Sequence, residues 1–577
     1  MIGRRQPSPN RMIRAGHDAI AKPDWGRGAS ARGPRASQRR IFLAAAIFAG
    51  CFSLVGARLV GLAITGGDGA PRVAYAQPEG QLVRPDILDR NGDVMATDIS
   101  VASLFADARH VIDPEEATAK LVSVLPGLDA DEVVKKLSSG RAFNWIKRDL
   151  TPKQHQAVHD LGIAGLEFRR ERKRVYPNGA TAANVLGLVN IDNHGIAGME
   201  RYVDRNVLGE KGEPKKPVVL SIDVAVQHAL RDELQKGMKE FSAKAAVGII
   251  MDIHTGEVMG LSSLPDFDPN DPMAVSADAR FNRATLGVYE LGSVFKAVTM
   301  AAALNSGLID PNAKVDATKP MKVGRFTISD YHAENKKMTL PEIFMHSSNI
   351  GTAKIALEIG GDVHREYLKR FGLLEKPEIE LPEAGAPLLP ARWSEITNIT
   401  TSYGHGIAVT PLQVVSALSA IVNGGTRVTP TLVRRDTPQR GARVISEGTS
   451  RDMRWLLRLV VEEGTGKNAD VVGYPVMGKT GTAEKPENGG YAKHKLITSF
   501  VSAFPANKPR YAMIIMFDEP KGTKKTYGYA TAGWNAAPVT ARVVKRVAPL
   551  LDIEPEQPER SVPEGAQLVS YQFHNAR

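Results

Sequence analysis

The sequence predicts an α+β protein held on one membrane-spanning helix, and three observations predict it. An apolar run from Ile41 to Ile64 carries no charge until Arg58 and follows a basic tail. Beyond it, strand patterns, then helix patterns, then strand patterns succeed one another, an order that suits an α+β sandwich rather than a repeating βαβ sheet. A charged Gly/Pro stretch from Gly209 to Pro217 separates two apolar-periodic regions, so the exported part is expected to form two domains. With 577 residues, 43% of them hydrophobic, the chain can build cores for both.

The basic character sits at one end. Residues 1–40 hold ten lysines and arginines against Asp18 and Asp24, which accounts for eight of the eleven net positive charges. Such a Pro-, Gly-, Ser- and Arg-rich tail is expected to stay disordered, and so little net charge is left elsewhere that a folded nucleic-acid surface is excluded. At about 1.5 Å per residue, the run 41–64 is long enough to cross a bilayer. The basic residues before it place the tail in the cytoplasm and the rest of the chain outside. Ala74-Tyr75-Ala76 imitates a signal-peptide cleavage site, but it lies too far beyond the run, and the charged region before the run is too long; an uncleaved anchor is expected. Arg58 is expected to snorkel to the interface. The single cysteine, Cys51, lies within the run, so the exported part has no internal disulfide and no cysteine-bound zinc.

A polar linker, 65–80, leads to the first folded domain, 81–212. Its opening, VRPDILDRNGDVMATDISVASLFAD, alternates apolar and polar residues around Asn91-Gly92, a hairpin signal. In DPEEATAKLVSVL, Asp113 stands as N-cap before Pro114. The second domain, 213–551, contains AAVGIIMDIHTGEVMGLSSL, two apolar runs about a Thr255-Gly256 turn that read as an antiparallel pair. SVFKAVTMAAALNSGL is apolar nearly all round, the mark of a buried helix. TPLQVVSALSAIVNGG has Thr410 as N-cap, Pro411 at the first helical position, Gln413 completing a capping box and Gly424 at its end. LITSFVSAFPA and RYAMIIMFDEP add strands, and the Pro/Glu-rich tail 552–577 is expected to be mobile.

The segment GYPVMGKTGTAEK reads two ways. Gly473 to Thr480 fits the phosphate-loop pattern G-x-x-x-x-G-K-[ST]. That loop requires consecutive backbone N–H donors and a helix that starts at its Lys-Thr. Pro475 lacks the donor, Tyr474, Val476 and Met477 suit a strand, and Gly481, Pro486, Gly489 and Gly490 leave no room for a helix. No nucleotide is expected; Gly473 and Gly478 are read as flanking a strand.

Lys479-Thr480-Gly481-Thr482 instead belongs with two segments upstream. Ser293-x-x-Lys296 is the only Ser-x-x-Lys in the chain, and Ser347-Ser348-Asn349 follows it. A serine at the start of a buried helix has the lysine one turn on, on the same face, where the amine can reach the hydroxyl. To accept a proton near neutral pH that lysine must fall well below its ordinary pKa of about 10.4, through burial or a neighbouring cation, which Lys479 can supply. Gly481 is read as letting a substrate backbone lie along the strand edge, with Thr480 and Thr482 offering hydroxyls to a carboxylate. No metal and no cofactor are expected.

Three motifs in this order resemble the penicillin-binding proteins and serine β-lactamases. The resemblance implies a transpeptidase domain with an antiparallel sheet and a helical subdomain, a Ser293 nucleophile, and an oxyanion hole from the backbone N–H groups of Ser293 and Thr482. It also implies that Ser347 relays a proton to the leaving amine and that Asn349 holds the substrate amide. RPDILDRNG and RVYPNGATAANVLGLVNIDNHGIAGMERYVDRNVLG resemble the pedestal signatures of class B penicillin-binding proteins, with Pro85 in place of the usual glycine. MDIHTGEVMGLSSLPDFDPN and NRATLGVYELGSVFK resemble the opening of their transpeptidase domain, with Leu291 where many members have proline.

The implied activity is D,D-transpeptidation of peptidoglycan stem peptides through an acyl-enzyme on D-Ala-D-Ala, with β-lactams as inhibitors. The implied place is the inner membrane, N-terminus inside and catalytic domain in the periplasm. The short pedestal, basic tail and length are most similar to the division-specific enzymes, which work with a membrane glycosyltransferase and other division proteins. The elongation-specific enzymes are the alternative, and a β-lactam sensor or hydrolase is the alternative of another class.

Overall fold

The first element among the described residues is a helix through the predicted anchor. The computed structural model describes residues 35–64, 83–208, 216–271, 276–324, 326–435, 437, 441–487 and 490–556. They fall in two units, Met1–Gln77 and Pro78–Arg577. In the first, α1 spans Arg35–Ile64, so the segment expected to be disordered is helical from Arg35 on. Leu43, Ile47, Phe48, Phe52 and Leu54 are exposed along it, and so is Cys51. Among the described residues no helix is long and apolar enough to cross a membrane, so the crossing expected of 41–64 rests on the sequence. The linker and the N-terminal part of the tail lie outside the described residues.

The second unit opens with a five-stranded sheet built from β1 (Ile87–Leu88), β2 (Val94–Ala106), β3 (Asn144–Leu150), β4 (Leu166–Val175) and β5 (Val218–Val219), in the order β3-β2-β1-β5 with β4 also on β2. The hairpin read at Asn91-Gly92 joins β1 to β2, and β5 runs parallel to β1. Helices α2 (Pro114–Val124), α3 (Ala130–Leu137) and α4 (Pro152–His159) bury Leu121, Leu137 and Val158 against Leu104 and Ile146. Asp113 caps α2 as read, accepting from the N–H groups of Glu115 and Glu116.

Beside this sheet lies a buried network of ions. Glu200 accepts from Arg84 Nε (2.8 Å) and Arg174 Nε (2.7 Å), and Arg174 also donates to Asp98 (3.2 Å). Asp204 pairs with Arg84 as well. The side chains of Arg84, Arg174 and Glu200 have no exposure.

The larger sheet comprises β6 (Ala245–Asp252), β7 (Val258–Leu264), β8 (Met477–Glu487), β9 (Gly490–Phe504) and β10 (Tyr511–Asp518), all antiparallel in the order β8-β9-β10-β6-β7. Its residues alternate between two cores, as a strand's period of two requires. Ala246, Ile250, Met513 and Ile515 meet helices α5 (Val224–Glu240) and α11 (Ala536–Leu550). Val247, Ile249, Ile514 and Met516 meet the helical layer of α6 (Lys296–Ser306), α7 (Asn349–Ile359), α9 (Pro411–Val422) and α10 (Glu447–Glu462), and α8 (Glu395–Ser402) packs Ile399 against Ala353 of α7. Helix α6 is buried from Lys296 to Ala303, and α9 carries the expected capping box. Strand β8 begins at Met477, so Gly478 lies inside the strand rather than flanking it, and a turn at Val472-Gly473 and an irregular Tyr474 to Val476 precede it. The C-terminal tail is pinned at its start, where Glu556 N–H donates to Gly473 O (2.8 Å); residues 557–577 lie outside the described residues.

Candidate active site

Ser293 lies in a 3₁₀ turn, Gly292–Phe295, that feeds α6. The turn is seated on edge strand β8. A Cβ at Gly481 would stand 2.3 Å from the Leu291 carbonyl and 2.8 Å from Ser499 Oγ. The bare backbone at Gly481 therefore admits the turn that carries Ser293, where the sequence reading assigned that space to substrate. On the other side Gly404, with φ of 82°, would place a Cβ 2.1 Å from the Gly292 carbonyl, and its own carbonyl accepts from Gly292 N–H (3.3 Å). The serine is thus clamped between a strand edge and the 403–406 loop.

The other predicted residues converge beside it. Lys296 Nζ donates to Ser347 O (2.5 Å), Asn349 Oδ1 (2.7 Å) and Ser347 Oγ (3.2 Å). Lys479 Nζ reaches the same Ser347 Oγ from β8 (2.9 Å). Ser347 holds a left-handed φ of 57°, a strained conformation for a serine that aims its hydroxyl between the two amines. The expected contact between Lys296 and the Ser293 hydroxyl is not made. Among the described residues Ser293 Oγ has no hydrogen-bond partner, because three acceptors on the Ser347–Asn349 turn hold the amine. Asn349 is likewise occupied, its Nδ2 donating to Ser329 O (3.1 Å).

Both lysines are buried, at 1% and 0% exposure, and neither has a carboxylate in an ion pair among the described residues. Burial, then the charge of Lys479, hold Lys296 well below its ordinary value, with Asp330 opposing in part. Burial brings Lys479 down to about 7. The Thr480 hydroxyl pairs with that of Thr465 (2.6 Å), and the Thr482 hydroxyl accepts from Ala532 N–H (3.1 Å). Among the described residues no group of three or more His, Cys, Asp and Glu is arranged to hold a metal ion.

Two features escaped the sequence. Asp330 accepts from Ser348 Oγ (2.7 Å) and Ile350 N–H (3.0 Å), fixing the first turn of α7 and with it Asn349. Glu290, three residues before Ser293, accepts from Tyr491 OH (3.0 Å) and Gly406 N–H (3.1 Å) beside His405. Asp330 lies in an irregular stretch without a pattern. The 403–406 stretch had a usable signal, a Tyr-Gly-His-Gly run just before the Thr410 capping box.

A serine next to two buried lysines without a carboxylate partner among the described residues, on a sheet with a helical layer, fits a serine acyltransferase of the penicillin-binding class. Residues 246–545 match the family described as penicillin binding protein transpeptidase domain, and residues 82–219 match the penicillin-binding protein dimerisation domain. The chain belongs to this family. It is 40% identical to a Caulobacter vibrioides protein named probable peptidoglycan D,D-transpeptidase FtsI, over 91% of each chain. It is 32% identical to the Neisseria meningitidis protein named probable peptidoglycan D,D-transpeptidase PenA, over 82% of this chain and 86% of the relative. The crystal structure of penicillin binding protein 3 from Mycobacterium tuberculosis, complexed with aztreonam, aligns with a TM-score of 0.65 at 25% identity, covering 83% of this chain and 98% of that one.

Proposed function

We propose that the protein is a peptidoglycan D,D-transpeptidase of the division septum, inhibited by β-lactams. The observation that carries this reading is the meeting of Lys296 and Lys479 on the hydroxyl of Ser347, beside a Ser293 whose own hydroxyl is unengaged. Neutral Lys296 takes the proton of Ser293 as Oγ attacks the D-Ala-D-Ala carbonyl carbon, and backbone N–H groups of Ser293 and Thr482 receive the developing oxyanion. Ser347, with Lys479 behind it, passes a proton to the departing D-Ala amine. Asn349 holds the donor's amide, and Thr480 and Thr482 bind its carboxylate at the edge of β8. A stem-peptide amine then takes the acyl group from Ser293; water in its place gives carboxypeptidase activity. The septal assignment draws on the name of the Caulobacter relative.

In this reading 1–40 is a cytoplasmic tail, 41–64 the inner-membrane anchor, 65–80 a linker, 81–212 the pedestal, 213–551 the periplasmic catalytic domain and 552–577 a tail. The anchor and pedestal meet a membrane glycosyltransferase and other division proteins. The test is labelling with a fluorescent penicillin: wild type is labelled stably and Ser293→Ala is not. Label retained on the alanine variant, or rapid turnover of the drug by wild type, would overturn the assignment.

A further inference from the structure

Glu290 is a half-buried carboxylate without a cation. Its side chain is 11% exposed, and among the described residues no lysine or arginine pairs with it. Its partners are neutral donors: Tyr491 OH (3.0 Å), which crosses from the start of β9, and Gly406 N–H (3.1 Å). His405, 3.6 Å away, is pushed down to about 4 by burial and then by the charge of Lys296, so at neutral pH it brings no charge. A carboxylate left in this state is costly unless a cation comes to it. Burial also raises its pKa, opposed by the Tyr491 and Gly406 hydrogen bonds, which improves it as a proton acceptor.

Its position fits one reactant. Glu290 precedes Leu291-Gly292-Ser293 directly, and its partner loop 403–406 carries the Gly404 that clamps Gly292. The acceptor of transpeptidation arrives as a primary ammonium, which cannot attack until it loses a proton. The two buried lysines repel it if charged and give it no counter-charge if neutral.

We propose that Glu290 is the recognition site for the acceptor's ammonium, a role that rests on the transpeptidase reading. The ammonium displaces the Tyr491 hydroxyl and gives one proton to the Glu290 carboxylate. The freed amine forms the C–N bond at the acyl carbon as the C–Oγ bond to Ser293 breaks; the second nitrogen proton passes to Ser293 Oγ, and Glu290 returns its proton to water.

The test is partition of the acyl-enzyme formed from a D-Ala-type thioester donor, using full-length protein in detergent. Two nucleophiles compete with water: the tripeptide L-Ala-γ-D-Glu-L-Lys, whose amine is charged, and methoxyamine, which is neutral near pH 7. Glu290→Gln is expected to lower the aminolysis-to-hydrolysis ratio about tenfold or more for the tripeptide and much less for methoxyamine. Tyr491→Phe, which removes the latch and keeps the carboxylate, is expected to leave the tripeptide ratio at or above wild type. Equal losses for both nucleophiles, no loss for either, or a Tyr491→Phe ratio as low as that of Glu290→Gln would overturn the proposal. A wild type that forms no acyl-enzyme would overturn the transpeptidase reading with it.

Discussion

Two buried clusters of charge in this molecule are built on opposite principles. Beside the first sheet, Arg84 and Arg174 are sealed from water together with Glu200, with Asp98 and the partly exposed Asp204 at its rim, each cation within hydrogen-bond reach of a carboxylate. Burial alone would lower Arg174, yet the charge and hydrogen bond of Glu200 win and raise it. In the cleft, Lys296 and Lys479 are as deeply buried but meet a hydroxyl, a carbonyl and an amide. There burial wins, and both amines move toward neutrality. The paired cluster keeps its charges and holds structure in place. The unpaired one gives up charge and gains basic nitrogen, which is what proton transfer needs.

The sharpest test of this contrast separates activity from stability. Lys296→Met removes the proposed base together with a buried amine that has no carboxylate partner among the described residues. Acylation by penicillin is expected to slow by about 10²- to 10⁴-fold, while the thermal midpoint stays level or rises. Stopped-flow acylation and a melting curve on one preparation check both halves; a large drop in the midpoint would mean that the lysine is structural.

Glu200→Gln should do the reverse. Two arginines lose their shared counter-charge, and unfolding free energy is expected to fall by about 3–5 kcal/mol. Acylation per folded molecule should stay near wild type. Urea titration with active-site counting of the folded fraction measures this, and a variant equally stable but slow to acylate would break the contrast.

The smallest effect is on the pH dependence of stability. Lys479 titrates at about 7 when folded against an ordinary value of 10.5, so in this window the unfolded chain binds a proton that the folded chain refuses. Stability therefore rises with pH: the contribution is complete above about 10.5 and is lost as pH falls through about 7. In Lys479→Met the slope between pH 7.5 and 9.5 should be smaller by up to about one proton, about 1.4 kcal/mol per pH unit. Unchanged slopes would show that Lys479 keeps its charge in the fold.

Much of this was legible in the chain because local chemistry carries it. Asn91-Gly92, Asp113-Pro114 and the Thr410 capping box specify their turn and caps with neighbouring residues alone. Strand and helix periods marked the sheet and the buried helix, and the three motifs named Lys296, Ser347, Asn349 and Lys479, which the fold gathers into one hydrogen-bonded cluster. What failed depended on contacts across the chain. Gly478 fell inside β8 because the register with β9 decides where that strand starts.

By itself, the sequence determined the residue types of the site, the order of its elements and the paired domains, since these follow from spacing, turn chemistry and burial of apolar faces. Only the tertiary structure decided that Gly481 makes room for the Leu291 carbonyl, that Lys296 rests on Ser347 and Asn349, and that Glu290 meets only Tyr491, Gly406 and His405 among the described residues. The reason is physical. Hydrogen-bond partners, close approach and the lack of a counter-charge are properties of space, and the partners of Glu290 lie 116 and 201 residues away along the chain.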